Sequence, residues 1–173
     1  MQTFEPKYID YKKRIWDGIG FIIITLLIIT IIALITEKFN LSLVFQAVAF
    51  IFAILLPLWL YMLFKRNKFL LKQIAISEKI VHIIYCKQDE VILDKSFPIS
   101  EVKIKIVDDI WGSGKGRRYI LQIDMLQEDK FKSVVKQYEE NGWDKELFKK
   151  VYATYCSEKN IPCDLSFMKG LFG

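Results

Sequence analysis

Two stretches of this 173-residue chain lack charged side chains altogether. No Asp, Glu, Lys or Arg occurs in the 18 residues from Ile19 to Thr36 or in the 24 residues from Leu41 to Phe64, although these types make up 26% of the chain. A helix needs about 20 apolar residues to cross the hydrocarbon core of a bilayer. The stretches therefore predict two transmembrane helices, over about 15–36 and 41–64, and they exclude a purely soluble enzyme.

Cysteine and histidine are also scarce, with three Cys and one His. An odd, small number of cysteines excludes a disulfide-stapled secreted scaffold. Cys86, Cys156 and Cys163 are separated by 70 and 7 residues, unlike the C-x-x-C spacing of zinc sites. His82 and Cys86 would lie roughly 13 Å apart along one strand, too far for a nucleophilic pair. We therefore predict no metal, no cofactor and reduced, partly buried thiols.

A complete phosphate-binding signature is missing from the loop WGSGKGRRY. A Walker A motif would need Ser or Thr directly after Lys115, where Gly116 stands. The loop nevertheless places glycine backbone N–H groups beside the cations of Lys115, Arg117 and Arg118, a combination that suits anions. These three residues are the predicted contacts for an anionic lipid, a nucleotide or a protein partner. The alternative is a flexible hairpin tip that its charge keeps soluble.

Aromatic and basic residues border both apolar stretches. Aromatic rings suit the headgroup region, and Lys and Arg avoid hydrocarbon. Four basic residues precede the first stretch and four follow the second, whereas the link has only Lys38. The positive-inside rule then places both termini in the cytoplasm, and we assign the net charge of +5 to an anionic leaflet rather than to a nucleic-acid polymer. The predicted membrane-interface residues are Lys12, Lys13, Arg14, Trp16, Trp59, Tyr61, Lys65, Arg66 and Lys68.

The link between the two stretches has only four residues, 37–40, which forces an antiparallel helical hairpin. Among the few polar residues inside the spans, Gln46 is the least easily satisfied within its own helix. It could bond across the hairpin or to a neighbouring copy, so a homo-oligomer through the transmembrane helices is one hypothesis. The charge-free cores of the two spans, Ile19–Thr36 and Leu41–Phe64, contain no Asp, Glu, Lys, Arg or His, which argues against an ion carrier formed by a single copy.

Beyond Lys68 the apolar period changes to two, which predicts half-buried antiparallel strands separated by short turns. One amphipathic helix follows in WDKELFKKVYATYCSEK, with Asn141 or Asp144 as its cap and its apolar face over one opening of a rolled sheet. Pro162 ends this helix before a short apolar tail. The predicted strands are LLKQIAIS, KIVHIIYC, VILDKSFP, VKIKIVDD, RRYILQIDM and FKSVVKQY, starting at Leu70, Lys79, Val91, Val102, Arg117 and Phe131.

Two carboxylate pairs stand at strand ends, Asp108 with Asp109 and Glu139 with Glu140. General acid–base chemistry needs a pocket and a perturbed pKa, and the sequence shows neither. We interpret both pairs as solvated turn residues. Trp143, at the start of the predicted helix, is expected in the core.

Three stretches carry a resemblance to a known family: LLKQIAISEKIVHI, SFPISEVKIKI and YEENGWDKELFKKVYATY. With the hairpin, they resemble the YcxB-like group of small bacterial membrane proteins that have a pleckstrin-homology-like (PH-like) domain. The likeness covers Ile15 to Lys159 and rests on patterns rather than catalytic signatures. It implies an α+β fold, a PH-like antiparallel barrel or sandwich of about seven strands capped by a C-terminal helix. Six strands are clear, and the seventh is expected from a division of Val102–Ile110.

The predicted organisation has four parts. A cytosolic segment spans 1–14, the hairpin 15–66, the PH-like domain 67–160 and the tail 161–173. The leading hypothesis is a non-enzymatic protein of the bacterial inner membrane that binds a protein partner or a membrane-proximal ligand, as an immunity or regulatory protein. The alternative is an antiphage effector in which a cyclic nucleotide binds the barrel and triggers bilayer disruption by the helices.

Overall fold

The computed structural model describes residues 1–35, 46, 49–50, 53, 56–109 and 118–165. The chain divides into two compact units, one of Met1–Ile9 with Phe69–Gly173, here called the β unit, and one of Asp10–Lys68, the helical unit. The elements are β1 Gln2–Phe4, α1 Tyr11–Ile35, α2 Leu56–Asn67, β2 Phe69–Ile76, β3 Ile80–Lys87, β4 Glu90–Pro98, β5 Val102–Asp108, β6 Tyr119–Gln127, β7 Lys130–Tyr138 and α3 Lys145–Glu158.

The β unit contains two antiparallel sheets, with strand orders β1-β2-β3-β4 and β5-β6-β7. A short 3-10 turn, Ile99–Glu101, connects them. The six strands predicted from the period of two are confirmed, as is the helix after them. The fold of this unit is therefore a mixed α+β domain of two antiparallel sheets and a C-terminal helix.

The seventh strand comes from a place that the sequence did not indicate. β5 runs undivided from Val102 to Asp108, so the expected division of Val102–Ile110 is wrong. Instead β1, near the N-terminus, pairs with β2 in the register Gln2↔Ile76 to Phe4↔Ile74. Three residues are too few to show a period, which is why this segment was interpreted as a separate stretch over 1–14.

The core of the β unit lies where the two sheets and α3 meet. Alternate residues of β5 and β6 are buried, as the period of two requires. Asp144 Oδ1 accepts a hydrogen bond from the Leu147 backbone N–H at 2.7 Å and so caps α3. The predicted core position of Trp143 is confirmed, since 1% of the residue is exposed. The residues of α3 that face the core are Phe148, Val151, Tyr155 and Cys156.

α1 is the one helix in the described part of the chain that is long and apolar enough to cross a membrane. Its candidate span is Tyr11–Ile32, with a mean hydropathy of 2.5. α2, a 12-residue helix whose residues 56–64 belong to the second predicted stretch, packs against α1 within the helical unit. The rest of the predicted 41–64 span, and the link 37–40, lie outside the described residues or are described only at single positions. Gln46, at one of these positions, is helical and exposed.

Contacts near the ends of these two helices show that α1 and α2 are antiparallel where they meet. The Arg14 guanidinium donates a hydrogen bond to the Asn67 carbonyl at 3.1 Å. One turn further along α1, Gly18 lies directly against the Leu63 side chain. A step forward along α1 is therefore a step backward along α2.

Two strand connections use two-residue turns whose residues all have positive φ. They are Gln88 and Asp89 between β3 and β4, and Glu128 and Asp129 between β6 and β7. Positive φ at both central residues is the geometry of a type I′ turn, which matches the twist of a hairpin but disfavours most L-residues.

The β6–β7 turn gives a first prediction. Asp129→Gly is expected to stabilise the β unit by about 0.5 to 1 kcal/mol, because glycine adopts this backbone conformation without steric cost. Asp129→Ala, the control, should destabilise the unit, since alanine has the same Cβ penalty without the local hydrogen bonding of Asp. Chemical denaturation of the full chain in detergent measures both effects, and equal stabilities of the two variants would contradict the explanation.

A second prediction concerns Asp124, a buried carboxylate on β6. Asp124 receives hydrogen bonds from Lys105 Nζ and Gln122 Nε2, both at 2.6 Å. Burial alone would raise the pKa of Asp124, but these hydrogen bonds and the positive charges of Lys105 and Lys103 lower it below its ordinary value.

Because the folded-state pKa of Asp124 is lower than the unfolded one, its stabilising contribution is present above the unfolded pKa of about 4 and is lost as pH falls further. Unfolding free energies measured from pH 6 down to pH 2 should therefore decline at the acid end. Asp124→Asn, which removes this carboxylate, should flatten that decline. An identical slope in Asp124→Asn and the original chain would refute this assignment.

Candidate functional site

One end of the β unit gathers several chain ends, and we call it the connection end. The chain passes from β1 through this end to α1. It returns from α2 through the single residue Lys68, and β2 begins at this end. Asp108 pairs with Tyr119, so β5 ends and β6 begins at one point. The Leu71 backbone N–H, near the start of β2, donates to Gln137 Oε1 at 2.8 Å, which brings the end of β7 there as well. The loop between β5 and β6 therefore leaves the β unit at the connection end.

Hydrogen bonds close the base of this loop. The Asp109 N–H donates to the Arg118 carbonyl at 2.8 Å. The Tyr119 N–H donates to Glu139 Oε2 at 3.1 Å, and Arg118 Nη1 lies 3.3 Å from Glu140 Oε1. The two ends of the loop and the segment after β7 are thus tied into one polar cluster.

A tight turn after β7 brings the N-terminal segment against this cluster. Asn141 and Gly142 both have positive φ, 60° and 85°. A Cβ added to Gly142 would stand 3.0 Å from the Lys7 carbonyl oxygen and 3.0 Å from the Pro6 Cβ. Glycine is needed here for its backbone conformation and for this close approach.

Cations lie over aromatic rings at the same end. Lys72 Nζ is 5.6 Å from the centre of the Tyr8 ring, and Lys145 Nζ is 5.5 Å from that of Tyr119. The Tyr8 hydroxyl donates to Asp89 Oδ1 at 2.9 Å in the β3–β4 turn. Such contacts hold the ammonium groups in place beside the loop base. Sequence reasoning missed Lys72 and Tyr8, because their proximity depends on the pairing of β1 with β2.

Of the three predicted ligand contacts, the structure describes Arg118. Its side chain is 47% exposed and is oriented by Glu140. Lys115 and Arg117, with most of the loop, lie outside the described residues. The described cluster can bind anions electrostatically, because exposed cations that neighbouring groups orient can contact phosphate or carboxylate oxygens.

The interpretation of the two carboxylate pairs as solvated turn residues needs correction. Asp109 is buried, with 9% of the residue exposed. Glu139 and Glu140 are half-buried. Glu139 accepts a hydrogen bond from the Tyr119 N–H, and Glu140 accepts one from the Arg118 guanidinium. The reason is that the strand ends converge, so that carboxylates meet backbone N–H groups and a cation of the neighbouring strand. Asp108 alone is exposed.

The predicted membrane-interface residues fall into two groups. Most are exposed or half-buried, with Trp16 at 69% and Tyr61 at 61% exposed, and Lys65 Nζ lies 5.7 Å from the centre of the Tyr61 ring. Arg14 differs, because it is buried and donates to a carbonyl at the last residue of α2. A cation at a helix C-terminus interacts favourably with the helix dipole, so Arg14 holds the two helices together. The exposed or half-buried members are Lys12, Lys13, Trp16, Trp59, Tyr61, Lys65, Arg66 and Lys68.

Histidine and cysteine are placed on separate parts of the β unit. His82 Nε2 is 2.9 Å from Asp94 Oδ1 on the neighbouring strand. Cys86 and Cys156 are buried and Cys163 is exposed. Within the described residues no three His, Cys, Asp or Glu side chains come together as metal ligands.

Comparisons with protein-family models, with curated proteins and with solved structures find no match to this chain.

Proposed function

We propose that this chain is a non-enzymatic recognition protein of the bacterial inner membrane. A two-helix hairpin would anchor a PH-like domain to the cytoplasmic face, and the basic loop at the connection end would bind a protein partner or an anionic membrane-proximal ligand. In its concrete form the chain acts as an immunity or regulatory protein, capturing a membrane-acting toxin or controlling a membrane complex. The observation that carries the proposal is the shared origin of the loop and both helix connections at one end of the β unit.

The pairing of β1 with β2 supports the hairpin. β1 precedes α1 in the chain and β2 follows α2, yet the two strands are neighbours in one sheet. If α1 crosses the bilayer, the chain must return across it before Phe69, because a sheet cannot pair through a membrane. A second crossing within residues 36–68 meets this requirement, and residues 41–64 have the composition for it.

Short tethers support the membrane-proximal position of the loop. Lys68 alone separates α2 from β2, and six residues, 5–10, separate β1 from α1. An extended chain spans at most about 3.6 Å per residue, so the connection end stays within reach of the bilayer surface. The loop that leaves this end can then meet lipid headgroups or the cytosolic part of a membrane partner.

The pair of Arg118 with Glu140 indicates the chemistry of the ligand. An anionic group that binds Arg118 would compete with the Glu140 carboxylate, and phosphate or carboxylate oxygens suit this exchange because Arg binds them through two parallel N–H donors. Exposed carboxylates of an acidic protein surface and lipid phosphates both have this chemistry.

The test compares two triple variants of the full chain. One reverses the loop charges by Lys115→Glu, Arg117→Glu and Arg118→Glu. The matched control reverses three exposed lysines elsewhere on the β unit, by Lys79→Glu, Lys95→Glu and Lys130→Glu. A photo-crosslinking amino acid at Ser113 reports in living cells what the loop touches, and nanodiscs of phosphatidylglycerol or phosphatidylcholine report lipid preference.

We expect a discrete protein adduct or a phosphatidylglycerol adduct at position 113, reduced at least tenfold by the loop variant and retained by the control. Equal labelling of both variants, or no adduct in either, would remove the support for the proposal. Dye leakage or growth arrest on addition of a cyclic dinucleotide would transfer the assignment to the membrane-disrupting effector.

A further inference from the structure

One side of α1 packs against α2, and the opposite side has no such neighbour. The buried residues of α1 share the side on which Gly18 meets Leu63, and they are Arg14, Ile15, Ile22 and Leu26. Residues at spacings of three and four on the opposite side define what we call the outer face: Lys13, Trp16, Gly20, Ile23 and Leu27. Its three large apolar side chains are 69%, 51% and 56% exposed.

Exposed apolar side chains on a membrane helix do not by themselves indicate a protein partner, because lipid tails are as apolar as leucine. Gly20, at the centre of the outer face, is a more specific feature. Among the described residues, nothing beyond α1 itself lies within 4 Å of a Cβ placed there. A neighbouring helix can therefore approach the backbone of α1 closely, and such approach at small residues stabilises helix pairs in membranes.

Two opposite charges flank the outer face. Lys12 and Asp17 are both exposed, and neither side chain forms a hydrogen bond or an ion pair within the part of the chain that the structure describes. Asp17 lies two residues before the charge-free stretch that begins at Ile19. Its carboxylate would thus stand at the border of the hydrocarbon, beside an anionic leaflet, where an unpaired negative charge is unfavourable.

The spacing of these charges makes the outer face complementary to itself. Copies of a membrane protein insert in one orientation, so the α1 helices of two neighbouring copies are parallel. In parallel helix pairs the positions that flank the seam, five residues apart, meet across it and form interhelical ion pairs. Lys12 and Asp17 are five residues apart on opposite flanks of this seam. A two-fold axis would form the pair of Lys12 with Asp17 of the second copy twice.

We propose that two copies of this chain associate in the bilayer through the outer faces of their α1 helices, and that the reciprocal pairs of Lys12 with Asp17 fix the register. The inference rests on the position of α1 across the bilayer in the proposed function, and it is independent of the ligand of the basic loop. An excess of detergent micelles dilutes the copies apart, so contacts within one chain can be measured there without this association.

The remaining residues of the outer face fit such a seam. Trp16, Ile23 and Leu27 would interdigitate with their counterparts, and the two backbones would be closest at Gly20. Lys13 lies in the first turn of α1, where its long side chain can extend towards the headgroup phosphates. A lysine at one seam position lowers stability but favours one register over others.

The first measurement places a photo-crosslinking amino acid at Leu27 or at Ile28 in the full chain, reconstituted in liposomes of phosphatidylglycerol and phosphatidylcholine. The two positions are matched, because both side chains are apolar and are 56% and 52% exposed. Ile28 lies about 100° further around the helix and outside the seam. We expect an adduct of two chains from position 27, at least fivefold more than from position 28, where lipid adducts should predominate.

The second measurement is energy transfer between donor-labelled and acceptor-labelled chains in the same liposomes. A maleimide dye labels the exposed Cys163, because Cys86 and Cys156 are buried. Lys12→Asp and Asp17→Lys should each weaken the association at least tenfold, since each places like charges opposite one another. The double variant with both changes should recover the original energy transfer, because the two charges are then exchanged and attract again.

The outcomes separate this inference from the membrane anchor. Lipid adducts alone at both position 27 and position 28 would overturn the self-association while supporting a bilayer-spanning α1. Neither lipid nor chain adducts at either position would overturn the span itself, and the self-association with it. Loss of energy transfer in both single variants without recovery in the double variant would overturn the pairing of Lys12 with Asp17.

Discussion

Replacing Trp143 with phenylalanine is expected to lower the free energy of unfolding of the β unit by about 2 to 4 kcal/mol. The Trp143 indole N–H donates to the Leu71 carbonyl at 2.6 Å in a buried position. Phenylalanine cannot donate, so the carbonyl would lose this hydrogen bond, and the smaller ring would leave a cavity beside Phe148, whose ring centre is 5.9 Å away. Chemical denaturation of the full chain in detergent, followed by near-ultraviolet circular dichroism, measures the loss.

Trp16→Phe serves as the control for this experiment. Trp16 is 69% exposed, so the same chemical change there should alter stability by less than about 0.5 kcal/mol. If Trp143→Phe changed the unfolding free energy as little as Trp16→Phe does, the indole bond to Leu71 would have no structural importance, and the bond of the Leu71 N–H to Gln137 would join the end of β7 to β2 without it.

Enlarging Gly18 to leucine is expected to separate α1 from α2, at a cost of about 1 to 3 kcal/mol. A Cβ at this position would already collide with the Leu63 side chain, and the further carbons of leucine exceed what a rotation of Leu63 can accommodate. Close approach at small residues is typical of helix pairs in membranes, where packing rather than the hydrophobic effect stabilises association. Titration of the full chain with dodecyl sulfate, followed by far-ultraviolet circular dichroism, measures the loss of helix packing.

Gly20→Leu is the matched control, because among the described residues nothing beyond the neighbouring residues and backbone of α1 itself lies within 4 Å of a Cβ placed on Gly20. This variant should unfold at the same detergent fraction as the original chain. Equal behaviour of the Gly18 and Gly20 variants would contradict the packing of α1 on α2, and with it one support for the hairpin.

The sequence predicted the parts of the fold that depend on local periodicity. β5 and the first half of β6 alternate buried residues with more accessible ones, and the core positions of α3 fall mostly at spacings of three and four, so each pattern can be recognised within a single segment. Asp144 and Trp143 were likewise recognisable from the helix start that follows them. These features depend only on residues that are close together in the sequence.

The features that the sequence did not predict depend on distant pairs. β1 is recognisable as a strand only beside β2, and Gln137 completes the hydrogen bonding of Leu71 from the other sheet. The burial of Asp109 follows from the convergence of strand ends.

The early position of β1 has a consequence for how the protein is made. Gln2 precedes both hydrophobic stretches in the chain, whereas its partner Ile76 follows both of them and is synthesised later. Until then the first strand has no sheet to join. Completion of the four-stranded sheet therefore has to wait for β2, which is synthesised after α1 and α2, so a chain arrested before Phe69 would leave β1 without its partner.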